Sequence, residues 1–151
     1  MHSVIVTGSE GLIGKTVCEY LQISGFEVRR ADLELGIDLT DRDQVHSFFA
    51  ENKAESLVNL FGLNHHMKKG RIAINDFLEI PESDLNDYNE VNVTSLFSVC
   101  REFMKQNPGR IRIVNFSSLY GITSPKKKIY PDTVKHVGYV TSKHAMIGLT
   151  R

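Results

Sequence analysis

No charge of one sign is in excess here: 18 Lys+Arg stand against 18 Asp+Glu in 151 residues. A dedicated nucleic-acid binder normally carries a basic surplus, so the balance argues against that class. The longest basic run, Lys126 to Lys128, is explained by a solvated loop. Cysteine is scarce, with only Cys18 and Cys100, each inside a predicted helix among apolar neighbours. Buried free thiols in a reducing cytosol account for them better than a disulfide or a reactive thiol. No hydrophobic run approaches the length of a membrane span. The chain enters Val4-Ile5-Val6 without a basic region and a long apolar stretch before it. That pattern predicts no signal peptide and a cytoplasmic protein. A metal-ligand pattern is also lacking. His65 and His66 are adjacent, adjacent side chains seldom share one ion, and neither a cysteine nor an ordered acidic partner accompanies them. No metal is expected.

What is present reads as one globular α/β domain over residues 1–151. Ser3 to Thr7 is a short apolar run, typical of a strand buried on both faces. Gly11 to Ser24 follows as a helix, with Ile13, Val17 and Leu21 on one face and Gly25 as its C-terminal cap. Phe26 to Ala31 is the second strand, and a short third strand is expected near Leu35 to Asp38. Thr40 is read as the cap of a helix through Glu51, with Asp43 completing a capping box. Ser56 to Phe61 is the fourth strand. Ser83 is read as the cap of a long helix to Gln106, with Leu85, Tyr88, Asn92, Leu96, Val99 and Phe103 along its inner stripe. Arg110 to Phe116 is the fifth strand, and a long loop leads to a last helix from Tyr139. Strands alternating with helices imply a parallel, doubly wound sheet with right-handed crossovers. The last helix shows no terminating signal before Arg151, which suggests a fragment.

The segment Thr7-Gly8-Ser9-Glu10-Gly11-Leu12-Ile13-Gly14 joins the first strand to the first helix. Gly8 permits a tight turn, Gly11 clears the approach of a pyrophosphate, and Gly14 lets helix and strand pack closely. The N–H groups of the first helical turn, with Leu12 and Ile13, suit the phosphates. Asp32 ends the second strand, where a carboxylate can accept from the adenosine ribose hydroxyls. It would repel a 2′-phosphate, so NAD is favoured over NADP, although Arg29 and Arg30 stand close enough to accommodate one. A glycine-rich turn without a ligand and a solvated strand end are the plainer alternatives.

Tyr139 and Lys143 are four apart, on one helix face. The Lys143 ammonium would favour tyrosinate, making Tyr139 a candidate general acid or base. Alone, such a pair is more often a solvated helix face. Ser117-Ser118 alters this, because it lies at the carboxyl end of the fifth strand, where open α/β sheets bind ligands. Asn92 is a polar residue on an apolar stripe, either a satisfied core amide or the holder of a water in a proton relay.

These segments resemble the short-chain dehydrogenase/reductase family in their order along the whole chain: Thr7-Gly8-x-x-Gly11-x-x-Gly14, Asp32, Asp38-Leu39-Thr40-Asp41, Asn92, Ile113-Val-Asn-Phe-Ser-Ser118 and Tyr139-x-x-Ser-Lys143. The resemblance implies a Rossmann-type sheet of order 3-2-1-4-5, cut before a sixth and a seventh strand and without the substrate lid. It implies Tyr139 as acid/base, Ser118 as the group orienting substrate, Lys143 binding also the nicotinamide ribose, and Asn92 completing the relay. Ser9 belongs to the cofactor turn, Asp38 and Leu39 to the adenine side, and Asn59 and Gly62 to the cofactor wall. It also implies a homodimer or homotetramer.

The sequence departs from the family pattern at several places. Asn59-Leu60-Phe61-Gly62 is bulkier in the middle than the family's Asn-Asn-Ala-Gly. The glycine spacing resembles the extended, sugar-nucleotide-modifying branch, whereas the serine, tyrosine and lysine segments resemble the ordinary one. Ser118 and Tyr139 are 21 positions apart, longer than usual. The intervening Thr123 to His136, with Lys126, Lys127, Lys128, Tyr130 and Asp132, suggests either a lid over an acidic or polyhydroxylated substrate or a solvated loop. The stretch Ser117 to Pro125 is similar to oxidoreductases of bacterial surface-sugar and flagellin-glycosylation pathways. The expected function is an NAD(H)-dependent oxidoreductase acting on an alcohol or carbonyl substrate, including a sugar derivative. The alternatives are a sugar-nucleotide epimerase or dehydratase and a dinucleotide-binding protein without turnover.

Overall fold

The computed structural model describes residues 2–64, 77–129 and 135–151. The His65-His66 pair, Tyr130 and Asp132 lie outside the described residues. The chain divides into two units, Met1–Gly62 with Ser95–Phe116, and Leu63–Thr94 with Ser117–Arg151.

The first unit holds strands β1 (Ser3–Thr7), β2 (Glu27–Ala31), β3 (Ser56–Asn59) and β4 (Arg112–Asn115) and helices α1 (Leu12–Ile23) and α2 (Arg42–Glu51). The unit also holds helix α4 (Ser95–Gln106). All strand pairs are parallel, in the order β2-β1-β3-β4. Alternation along the strands divides the apolar side chains between two clusters. Ile5 and Leu57 pack with Val45 and Phe49 of α2 and Val99 and Phe103 of α4. Val4 and Val6 pack with Cys18 of α1, with Leu21, Val28 and Val58 around them. Helices thus cover both faces of the sheet, the doubly wound Rossmann-type arrangement expected. Each fully buried side chain of this kind contributes about 1.5–3 kcal/mol.

Two local expectations for this unit are corrected. No strand forms at Leu35 to Asp38. Leu33–Leu35 is a 3₁₀ turn capped by Asp32, whose carboxylate accepts from Glu34 N. Gly36 follows with φ +79°, a left-handed conformation that turns the chain away from extension. The sheet therefore lacks the strand placed outside β2, and its order begins at β2. The cap of α2 is Asp41, not Thr40: its carboxylate accepts from Asp43 N and Gln44 N, and Gln44 Nε2 donates back to it. Thr40 instead donates to Asp38 through both its N–H and its hydroxyl.

The second unit holds α3 (Glu82–Asn89), a π-helical turn Glu90–Thr94, and α5 (Val137–Thr150). Pro81, not Ser83, stands at the N-cap of α3, with a backbone φ of −66° that suits a helix entry. α3 packs on α5 where Gly138 faces Tyr88. A Cβ at Gly138 would come within 2.6 Å of that ring. His136 caps α5, its Nδ1 accepting from Gly138 N. Tyr88 stacks on His136 with ring centroids 4.8 Å apart, and the His136 Nε2 stands 3.4 Å from an Asp84 carboxylate oxygen.

Candidate functional site

In the first unit the glycine turn is tightly determined. Gly8 has φ +70°, and its N–H donates to Ala31 O of β2 at 2.8 Å. A Cβ at Gly8 would lie 2.4 Å from Phe61 N, so the segment Asn59 to Gly62 closes directly over the turn. A Cβ at Gly14 would lie 2.1 Å from Gly8 O. Gly11 is the N-cap of α1 and supplies no side-chain acceptor to the first N–H groups. Leu12, the first helical residue, is 83% exposed. Open donors at the end of a 12-residue helix, with the macrodipole behind them, suit a diphosphate. Asp32 stands beside this turn: Oδ2 accepts from Glu10 N at 3.0 Å and Oδ1 from Glu34 N. These residues fit the nucleotide that the sequence implies.

The remaining cofactor residues are placed differently from one another. Ser9 is buried, with its hydroxyl donating to Glu10 Oε1. Leu39 is buried in the core, and Asp38 is occupied in shaping the loop before α2. Gly62 is exposed. Asn59 is almost wholly buried at the carboxyl end of β3, aligned with Thr7 on one side and Asn115 on the other. Thr7 Oγ1 donates to Asn59 Oδ1 at 2.8 Å, and Asn59 Nδ2 donates to Asn115 Oδ1 at 2.8 Å. The side chain is thus a cross-strand clamp. The Cys100 thiol completes this group, donating to Asn115 Oδ1. Its pKa is pushed up to about 11, chiefly by burial. Both cysteines are free, and burial raises the Cys18 pKa as well.

In the second unit α5 brings Tyr139 and Lys143 together, with the Lys143 Nζ 5.8 Å from the Tyr139 ring centroid. Lys143 is 6% exposed, and burial lowers its pKa to about 8. Ser117 Oγ donates to Lys143 O at 2.8 Å, fixing this turn of α5 to the 3₁₀ turn Leu119–Gly121. Ser118 caps that turn, its Oγ accepting from Tyr120 N, and the hydroxyl keeps a proton to donate. Asn92 lies inside the π-helical turn, a geometry that often marks functional positions. Its Oδ1 accepts from Leu63 N at 2.6 Å, and its Nδ2 donates to Leu63 O and to Ser142 Oγ. Ser142 donates in turn to Tyr139 O. These bonds satisfy the Asn92 amide within the second unit.

Several participants carried no assignment in the sequence. Lys135 Nζ stands 4.0 Å from the Tyr139 ring centroid and donates to Asn64 Oδ1, and burial lowers its pKa. Nothing in the local sequence marks that lysine. Ser142 was within the Tyr139-x-x-Ser-Lys143 motif. Arg30 is close to Asp32 in sequence, whereas its pairing with Glu10 is set only by the fold. Among the described residues no cluster of His, Cys, Asp and Glu suited to a metal occurs, and no helix is long and apolar enough to cross a membrane.

The chain is similar to known proteins in both sequence and fold. The model of the NAD dependent epimerase/dehydratase family matches residues 4–151. A UDP-glucose 4-epimerase of Bacillus subtilis (strain 168) is 28% identical, over 85% of this chain and 41% of its own length. A GDP-6-deoxy-D-talose 4-dehydrogenase of Aggregatibacter actinomycetemcomitans is 28% identical, over 95% of this chain and 45% of its own length. The chain therefore spans less than half of these curated relatives. A doubly substituted short-chain dehydrogenase/reductase of Serratia marcescens superposes with a TM-score of 0.76 at 19% identity, covering 99% of this chain and 68% of the other. With its glycine turn, parallel sheet and matched span, the chain belongs to the NAD dependent epimerase/dehydratase family, on the fold of the short-chain dehydrogenases/reductases.

Proposed function

We propose that this chain is the dinucleotide-binding and proton-handling part of an NAD(H)-dependent oxidoreductase whose substrate is a sugar hydroxyl or ketone carried on a nucleoside diphosphate. The observation that carries this reading is Lys143, buried one helical turn from Tyr139 in a chain that also holds the glycine turn. The two curated relatives act, by their names, at position 4 of nucleotide-linked sugars, which supports the same carbon here. A nicotinamide cofactor held here would supply the hydride acceptor as NAD and the donor as NADH. Tyr139 would accept, as the phenolate, the proton leaving the sugar hydroxyl, or return it, as the phenol, to the carbonyl oxygen. The Lys143 ammonium would stabilise the negative charge developing on the phenol oxygen and hold the nicotinamide ribose. The Ser118 hydroxyl would donate to the reacting oxygen. Asn92 is assigned as a positioning residue of the relay, because it holds the first turn of α5 through Ser142.

For the cofactor, Gly8, Ser9, Gly11, Leu12, Ile13 and Gly14 would form the diphosphate turn and Asp32 the ribose acceptor. Asp38 and Leu39 would flank adenine. Gly62 would border the cofactor, and Asn59 would set the strand ends beneath it. NAD is favoured over NADP. The fraction of the relatives matched supports placing most of the substrate pocket outside residues 1–151. Exposed Phe97 and Met104 on α4 support a homodimer or homotetramer, and the free thiols support a reducing, cytoplasmic setting.

The family model and the epimerase relative favour a second reading, net epimerisation through a transient ketone. The full-length protein, given NAD and a panel of UDP- and GDP-linked hexoses, separates the possibilities. Net NADH formation identifies a dehydrogenase. Interconversion of sugars without net NADH identifies an epimerase. Binding of NADH with neither reaction identifies a non-catalytic dinucleotide-binding protein and overturns the proposal. Tyr139→Phe is expected to lower either turnover by about two to four orders of magnitude.

A further inference from the structure

Glu10 stands within the glycine turn, where a carboxylate has the wrong sign for a diphosphate. Its side chain is held: Oε1 accepts from Arg30 Nη1 at 3.1 Å and from Ser9 Oγ at 3.2 Å. It is 14% exposed, against 31% for Arg30. Its backbone N–H donates to Asp32 Oδ2 at 3.0 Å. One residue therefore holds the carboxylate suited to the ribose hydroxyls through its main chain and the nearest guanidinium through its side chain. Arg30 is two positions before Asp32 on extended backbone, so both project to the same side of the strand. Arg29, the residue before Arg30, projects to the other side and pairs with Glu27.

A dinucleotide with a 2′-phosphate would bring a dianion to the place beside Asp32. It would need a planar, forked donor there, which a guanidinium supplies. Arg30 has the right position, but Glu10 occupies it. We propose that Glu10 is a specificity-determining residue for NAD over NADP, acting by tethering Arg30 and by placing a second carboxylate beside the 2′ position. Arg30 is then a latent 2′-phosphate ligand. This inference rests on the dinucleotide reading of the glycine turn and deepens it.

The test is fluorescence titration of NADH and NADPH against the chain, Glu10→Gln, Arg30→Met and the double variant, with Gly14→Asp as the control for the site. A charge-assisted bond to phosphate contributes about 1.5–3 kcal/mol. Glu10→Gln is therefore expected to shift the NADPH/NADH affinity ratio toward NADPH by about tenfold or more. Adding Arg30→Met should remove that gain while leaving NADH binding close to its starting value. Arg30→Met alone should change NADPH binding little, since the guanidinium is already engaged. An unchanged ratio in Glu10→Gln overturns the proposal, as does a gain that survives loss of Arg30. So does a large loss of NADPH affinity in Arg30→Met alone. If the parent chain binds neither nucleotide, or Gly14→Asp binds NADH as well as the parent does, the dinucleotide reading itself falls and takes the proposal with it.

Discussion

The Asn92 amide donates to the Ser142 hydroxyl at 2.9 Å, and both residues are buried. Through this bond the π-helical turn is tied to the helix that carries Tyr139. The same amide pairs with both polar groups of the Leu63 backbone. Asn92→Leu keeps the branched outline in a larger side chain but leaves the part-buried N–H and carbonyl of Leu63 and the buried Ser142 hydroxyl without that partner. An abandoned buried polar group costs about 1–3 kcal/mol, and such losses do not add fully. The variant should lose at least about 2 kcal/mol in urea unfolding, and Ser142→Ala about 1 kcal/mol. A neutral Asn92→Leu would mean that the amide does not hold this turn.

Two glycine substitutions should behave oppositely. The space for a Cβ at Gly14 is filled by Gly8 O at 2.1 Å and by the Ser9 backbone. Gly14→Ala must push helix and turn apart, so it should destabilise by about 1–3 kcal/mol and weaken NADH binding at the same time. Gly148, in the exposed last turns of α5, has nothing within 4 Å of its Cβ position. Gly148→Ala should raise stability by up to about 1 kcal/mol through helix propensity. Thermal melts of both variants, with an NADH titration of the first, check the pair.

The features that repeat or punctuate were legible in the sequence. The glycines between Thr7 and Lys15, the apolar strand runs and the Tyr139–Lys143 spacing each report a backbone requirement that one residue type meets. Features decided by which of several neighbours wins a hydrogen bond were not. Thr40 and Asp41 are both good caps, and Asp41 wins because Gln44 can reach back to it. Leu35 to Asp38 has the composition of a short strand, but Asp32 and Gly36 close a turn first. Asn59 matched a family position, yet its role as a clamp depends on Thr7 and Asn115, far away in sequence and adjacent in register. The Glu10–Arg30 pair joins a turn to a strand 20 positions later and follows no periodicity.

Cys100 should be unreactive in the folded chain. Burial outweighs its hydrogen bonds to Asn115 and Asn59 and sets its pKa at about 11. The thiolate is the nucleophile, so at neutral pH its fraction is roughly a hundredfold below that of an ordinary cysteine. Alkylation followed by intact mass should modify Cys100 slowly in buffer and quickly in urea. Equal rates in the two conditions would contradict the burial.

Lys143 makes stability depend on pH in a direction opposite to that of a salt-bridged lysine. Burial lowers its pKa from 10.5 to about 8 in the folded chain. Below pH 8 both folded and unfolded chains hold the proton, and the folded state bears the whole cost of a buried ammonium. Between pH 8 and 10.5 the unfolded chain binds more protons, so this group's contribution to unfolding free energy rises with pH. Above 10.5 both states are neutral and the cost is gone. Lys143→Met removes the charge at every pH. It should therefore be more stable than the parent by about 2–4 kcal/mol below pH 8, with the difference closing through the window up to 10.5. Urea titrations of the nucleotide-free parent and variant at several pH values measure this difference. A gap that stays constant across the window would show that the ammonium is not desolvated. A gap that closes would locate in Lys143 a charge that the fold holds at a cost in stability, as the role proposed for it beside Tyr139 requires.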